Sequence, residues 1–187
     1  GFDFSVTQWP LLAMRDAWLV GIELPSKDPV RKAMQLYFKA QNANGGWGYK
    51  VDDESYGSMT AAGVASLYII RDLLDPGTGC PCRGGRSPRA ETEIDRRIER
   101  GVEWLGLNFT AEKNPGKGGR TYYWLYCAER VGIASGLKYF GDHAWYREGA
   151  EVLIGKQKDD GNWGGVVNTS FALLFLYKGR APILYNK

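Results

Sequence analysis

The sequence predicts an all-α fold, an arc of about seven helices in alternating inner and outer layers, and three observations carry that prediction. Four segments open on a threonine and then run apolar almost all round. Three segments between them are amphipathic. Glycine-rich turns separate the two kinds, and no stretch reads convincingly as a strand. A helix that is apolar on every side is buried, and a helix with a polar stripe lies over it, so the alternation itself implies two layers.

The first apolar segment, SVTQWPLLAMRDAWLVG from Ser5, carries its threonine at Thr7. DPVRKAMQLYFKAQ follows from Asp28 with charge on one face, and Asp28 ahead of Pro29 predicts an N-cap followed by a first-turn proline. SMTAAGVASLYIIRDLL from Ser58, with Thr60, is the second inner helix. RAETEIDRRIERGVEWLGLNF from Arg89 is the second outer one. There Arg96, Arg97 and Arg100 alternate with Glu93, Asp95 and Glu99, as on a solvated helix face. RTYYWLYCAERVG from Arg120 (Thr121), DHAWYREGAEVLIGKQ from Asp142 and NTSFALLFLYKGR from Asn168 (Thr169) complete the alternation. The threonines recur at irregular intervals within the range of helical-pair repeats, giving repeats at about 5–50, 58–109, 119–163 and 168–187 of a single domain.

The three outer helices end on one template. A small residue (Ala33, Gly101, Gly149) precedes an apolar pair (Leu36-Tyr37, Trp104-Leu105, Val152-Leu153), and then Gln41, Phe109 or Gln157. The first and last continue as QNANGGWGYK and QKDDGNWGG, both fitting Gln, three residues, Gly, one residue, Trp. The middle copy has lost its Gln and its Trp. Gln41 and Gln157 are expected to bond the free carbonyls of a helix end or the next turn. Gly45 and Gly161 should supply positive φ, and Trp47 and Trp163 should cover the seam to the neighbouring pair.

Composition narrows the function classes. The chain has 187 residues, 44% hydrophobic and 24% charged, with 25 glycines, 7 Trp, 11 Tyr and 7 Phe. A net charge of +3 demands neither nucleic acid nor an anionic membrane. No apolar run is long enough for a transmembrane helix. The chain opens on Gly1 without Met or signal peptide, so a trimmed piece of something longer is expected and no compartment is read from it. Cys80 and Cys82 fall in the loop GTGCPCRGG and Cys127 in an apolar pattern. Three thiols so placed make neither a disulfide framework nor a CxxC knuckle; loop thiols and a core cysteine are the first reading, and a metal site or a link to a further segment the alternatives.

These residues resemble the QW repeat of squalene and oxidosqualene cyclases, within the wider group of prenyltransferase and squalene oxidase repeats. DFSVTQWPLLAM and GGWGYKVDDESYGSMTAAGVASL are similar to helix openings of that group. The stretch from EKNPGKGGRTYYWLYCAERVG to the end resembles uncharacterised bacterial members, common in planctomycete-type proteins. The resemblance covers most of the chain except DPGTGCPCRGGRSP. It implies an (α/α) toroid-like arc, a partial α/α barrel, which a protein partner or further chain segments would complete. A subunit of an envelope or multi-protein assembly is one form this could take.

The chemistry implied by the resemblance fails position by position. Cyclases protonate an alkene with an Asp-x-Asp-Asp-Thr motif opening an inner helix; the counterpart here is Asp3-Phe4-Ser5-Val6-Thr7, with Ser5 at the proton-donating position. Protein prenyltransferases hold zinc with Asp-x-Cys opening one inner helix and His opening a later one. Gly119, Thr121 and Asn168 occupy those positions. Asp52-Asp53-Glu54 reads as a solvated turn and Asp159-Asp160 as turn chemistry. The sole histidine, His143, stands at the start of an outer helix, and no nucleophile–base arrangement accompanies it. No catalytic residue, metal or cofactor is therefore expected. The expected function is a scaffold or a module binding an apolar ligand or protein, its concave side lined by the inner-helix aromatics Trp9, Tyr68, Tyr122, Trp124 and Phe171. Trp18, Tyr123, Tyr126 and Phe175 belong to the same set, and most of them are expected to be core. An open concave side would suit an isoprenoid-like or lipid ligand. The alternative is a terpene cyclase or prenyltransferase relative whose catalytic residues lie outside this chain.

Overall fold

The computed structural model of the protein describes residues 3–75 and 91–178. The Cys80–Cys82 loop lies outside the described residues. Seven helices follow in chain order: α1 (Phe4–Leu19), α2 (Asp28–Ala40), α3 (Gly57–Leu74), α4 (Glu93–Asn108), α5 (Thr121–Ser135), α6 (Trp145–Lys156) and α7 (Val166–Lys178). Among the described residues no strand forms; one isolated bridge joins Phe140 and His143. None of these helices is long and apolar enough to cross a membrane.

The two layers predicted from periodicity are present. α3 stands at the centre of the inner layer between α1 and α5, and α7 continues the arc beyond α5. The outer helices α2 and α4 lie on α3, and α6 lies against α5 and α7. α3 can accept so many neighbours because it is built from small residues: Ala61, Ala62, Gly63, Ala65 and Ser66 let other helices approach closely. Every residue of α3 from Gly57 to Leu67 is buried.

Three expectations from the sequence are corrected. Asp28 is the first helical residue of α2 and not its N-cap: Lys27 precedes it, and the Asp28 N–H is taken by the Ser26 hydroxyl at 3.1 Å. The inner helices at the two ends of the arc are not buried all round. α1 exposes Val6, Trp9 and Leu19, and α7 exposes Leu173, Leu174 and Tyr177, because among the described residues each has an inner-layer neighbour on one side only. The arginines of α4 are not a purely solvated face. Arg97 donates to the Phe38 carbonyl at 2.7 Å, and Arg100 donates to the carbonyls of Asn42 and Ala43 at 3.3 and 2.7 Å. These acceptors belong to the C-terminal end of α2 and the turn after it, where helix carbonyls lack intrahelical partners.

The turns after α2 and α6 share one structure. Gln41 donates through Nε2 to the Gly45 carbonyl at 2.8 Å, and Gln157 to the Gly161 carbonyl at 2.9 Å. Gly45 and Gly161 have φ of 89° and 80°, the left-handed region that favours glycine. The Trp47 backbone N–H donates to Thr60 Oγ1 at 3.1 Å, and that of Trp163 to Thr169 Oγ1 at 3.1 Å, which gives two of the recurring threonines their role. Trp47 Nε1 donates to the Tyr37 carbonyl at 2.9 Å and Trp163 Nε1 to that of Leu153 at 2.7 Å. A bulky ring beside glycines is thus a fitted pair. A Cβ on Gly63 would lie 2.6 Å from Trp47 Cδ2, and one on Gly101 would lie 2.9 Å from Cζ3. Both glycines make room for the indole in the seam between α3 and α4. In the middle copy, Phe109 replaces the glutamine and packs its ring against Trp124 and Phe140.

Candidate functional site

The N-terminal ends of α1, α3, α5 and α7 gather around one cavity of about 740 Å³. α1 brings Ser5, Val6 and Trp9 to it, and α3 brings Ser58 and Met59. Arg120 and Tyr123 reach it from the start of α5, and Val167, Asn168 and Phe171 from α7. Four helix N-termini bring the positive ends of their dipoles to one space, while the N–H groups of Phe4, Gly57 and Ser58 are taken by Tyr49, Pro115 and Asn114.

The apolar part of the cavity is an aromatic cluster joining three inner helices. Trp9 stacks on Tyr126 with centroids 6.2 Å apart, and Phe171 contacts Tyr126 at 5.1 Å and Tyr123 at 5.4 Å. Trp9 remains 42% exposed, so this surface is open from outside. The Tyr123 hydroxyl accepts from Gln8 Nε2 at 2.6 Å, and Gln8 Oε1 accepts from Arg130 at 2.7 Å. Gln8 is fully buried, so this chain ties α1 to α5 beneath the cavity. Polar groups surround the opening: Asp53 and Tyr49 from the turn before α3, and Lys117, Gly118 and Gly119 from the loop before α5. Asn114 pins that loop to α3. Its Oδ1 accepts from the Ser58 N–H at 2.8 Å, and its Nδ2 donates to Ser58 Oγ at 3.0 Å, both fully buried.

The structure brings together part of the aromatic set expected from the sequence. Trp9 and Phe171 line the cavity. Trp124 does not: it is wholly buried, with Nε1 donating to the Thr110 carbonyl at 2.9 Å. Tyr68 stands half-buried later in α3 beneath the Arg71 guanidinium, 4.8 Å from its ring centroid, and Tyr122 is half-buried beside the core; neither lines the cavity. The Gln–Gly–Trp residues Gln41, Gly45, Trp47, Gln157, Gly161 and Trp163 all act in helix ends and seams. Both tryptophans are buried. Asn114 and Lys117 were not singled out from the sequence. An Asn-Pro dipeptide in a glycine-rich loop reads as a turn, and nothing in it announces a partner 56 residues away.

Three positions that matter to the family resemblance meet at this cavity. Ser5, which the resemblance would align with the cyclase acid, lines it, and its hydroxyl donates to Asp3 at 2.6 Å. Gly119 and Asn168, which the resemblance would align with two zinc ligands, line it as well. None of the three can donate a strong acid's proton or bind zinc as a thiolate or imidazole would. His143 stands away from the cavity, its Nδ1 3.0 Å from Glu148. Asp53 holds its own turn, accepting from the Lys50 N–H at 2.9 Å. Comparison with protein-family models, with curated proteins and with solved structures finds no match for this chain.

Titration of the buried groups sets a pH window. Burial pushes the Cys127 thiol up to about 12 from 9.0, and the Tyr37 and Tyr56 hydroxyls up to about 12 from 10.0. In each case the unfolded chain ionises first. The stabilisation is therefore fully present below about pH 9 and is lost as pH rises toward 12. A melting temperature level through neutrality and falling from about pH 9 upward is expected. Cys127 should also resist alkylation by iodoacetamide in the native protein at pH 8. Rapid labelling of the Cys127 peptide there would contradict its burial.

Proposed function

We propose that this chain is a non-catalytic helical repeat module of the terpenoid-cyclase-like type that holds an apolar or isoprenoid-like ligand in the cavity at its inner-helix N-termini. The observation that carries the reading is the cavity itself: an aromatic wall of Trp9, Tyr123 and Phe171, a polar opening, and Ser5, Gly119 and Asn168 at the positions where the resemblance would place acid and metal ligands. Concave, largely apolar sites with a few polar groups at one end bind small amphiphilic or apolar molecules. The Gln–Gly–Trp turns support the resemblance, and the substitutions at its chemical positions support binding over turnover.

Solvent extraction of the purified protein followed by mass spectrometry should recover a terpenoid or lipid. In a titration with farnesol as probe, a change in tryptophan emission that is lost in Trp9→Phe should report occupancy. Val6→Asp is the informative variant. Val6 is 59% exposed at the cavity rim, and a carboxylate in the first turn of α1 is favourable to the helix, so folding should be unaffected. The charge, desolvated only when the apolar ligand covers it, should weaken farnesol binding by about tenfold or more. A clean extract with no binding would end the ligand reading, and turnover of squalene or a prenyl diphosphate would replace it with an enzymatic one.

A further inference from the structure

The inner helix at the end of the arc repeats α3 position by position. The bonds from Trp47 to Thr60 and from Trp163 to Thr169 fix the correspondence, so that Val166, Val167, Leu173, Leu174 and Tyr177 of α7 stand where Gly57, Ser58, Val64, Ala65 and Tyr68 stand in α3. In α3 the first four of these are buried and the last is half-buried. In α7 all five are exposed: Leu173 is 54% exposed and Tyr177 79%, against 0% for Val64.

What covers these positions in α3 is visible. Val64 lies on Gly101 of α4, close enough that a Cβ on the glycine would collide with it. The loop after α4 closes the N-terminal end: the Gly57 N–H donates to the Pro115 carbonyl at 2.8 Å and the Ser58 N–H to Asn114. α5 then packs along α3. The side of α3 that corresponds to the open face of α7 is therefore covered by one unit, an outer helix, a loop and an inner helix.

A second and separate observation points the same way. Gln41 uses Nε2 twice, once for its own turn and once for the Arg97 carbonyl of α4, at 2.9 Å. Gln157 makes the first bond only; the helix that would offer the second acceptor is absent from the described residues. Among the described residues, a second acceptor for Gln157 at the end of α6 and a cover for the open stripe of α7 are both lacking.

We infer that the α6–α7 edge is a docking surface for a helix–loop–helix unit of this same repeat type, lying outside these 187 residues. Its outer helix presents a small residue to Leu173 and a backbone carbonyl to Gln157, and its loop covers Val166 and Val167. A second copy of the chain does not fit the description. Its outer helices already have their apolar faces on their own inner helices, with Gly101 against Val64 and Gly149 against Phe175, so none is free to dock. The exposed stripe of α7 carries no charge that would select a polar partner. Val167 borders the ligand cavity, but Gln157 and Leu173, which carry the inference and its test, do not, so it does not rest on the ligand reading.

The test is a chain extended after Lys187 by a second copy of residues 79–135, which supplies α4, its loop and α5 in the register that follows α3. The extended chain should melt about 5 °C or more above the original and bind less of an apolar dye such as ANS. Leu173→Asp should abolish that gain in the extended chain while leaving the melting temperature of the original chain nearly unchanged, since the side chain there faces water. An extended chain no more stable than the original, with dye binding undiminished, would overturn the inference. So would sedimentation of the original chain as a dimer that Leu173→Asp dissociates, because a second copy would then cover the edge.

Discussion

Trp47→Ala is expected to lower the unfolding free energy by about 3–5 kcal/mol, the range for removing a large aromatic from a well-packed core. The indole is 0% exposed and fills a seam that Gly63 and Gly101 leave open for it, so the two residues that face the ring carry no side chain to fill the void. The Tyr37 carbonyl also loses its donor. Trp47→Phe separates the two contributions: it keeps most of the ring burial and gives up the Nε1–H bond, for which a loss of about 1 kcal/mol beyond the packing change is expected. Trp163→Ala is the comparison. Trp163 makes the same two bonds, but its seam faces the open end of the arc, where the neighbouring helix α7 is exposed on its far side and can relax. A loss of roughly half that at Trp47 is expected, because the cost of a cavity falls where the surroundings can collapse or admit water. Urea unfolding of the three variants measures all of this. Equal losses at Trp47 and Trp163 would mean that the open edge does not soften its own end of the molecule.

That comparison shows what sequence alone could and could not supply. Periodicity separates the inner helices from the outer ones, and the spacing of Gln, Gly and Trp locates the turns, because both are local patterns along one chain. The pairing of Trp47 with Gly63 and Gly101 is not local. The glycines read as helix-weakening residues until the ring is seen between them. The arginines of α4 were misread for the same reason: charge alternation describes a face, but it cannot tell that the carbonyls at the end of α2 lie within reach of Arg97 and Arg100. The cavity was the least legible feature. Tyr122, Tyr123 and Trp124 are consecutive, yet each successive residue turns about 100° around the helix. Tyr123 faces the cavity, Trp124 enters the core, and Tyr122 lies between. Only the azimuth of α5 against α1 and α7 decides among them, and that is set by contacts such as Gln8 to Tyr123 between residues far apart in sequence.

Gly132→Ala is expected to destabilise the protein although alanine is the better helix former by about 1 kcal/mol. A Cβ at Gly132 of α5 would run into the Trp145 indole at Cζ2 and Cε2. That ring has little freedom to withdraw: its Nε1 donates to the Leu137 carbonyl at 2.7 Å, one face stacks on Phe140 at 5.9 Å, and its edge meets Phe175 at 6.1 Å. Overpacking at such a site costs about 1–3 kcal/mol and commonly more than the propensity gain returns, so a net loss of about 2 kcal/mol is expected. Gly155→Ala in α6 isolates the propensity effect, since a Cβ there meets nothing within 4 Å, and a gain of up to about 1 kcal/mol is expected. Replacing the indole relieves the clash: in a Trp145→Leu background, which is itself destabilised, Gly132→Ala should cost little or become favourable. If Gly132→Ala stabilised the otherwise unaltered protein, α5 and α6 would have to slide apart without loss. The close fit of ring into glycine, on which this account of the inner and outer layers rests, would then be wrong at its tightest point.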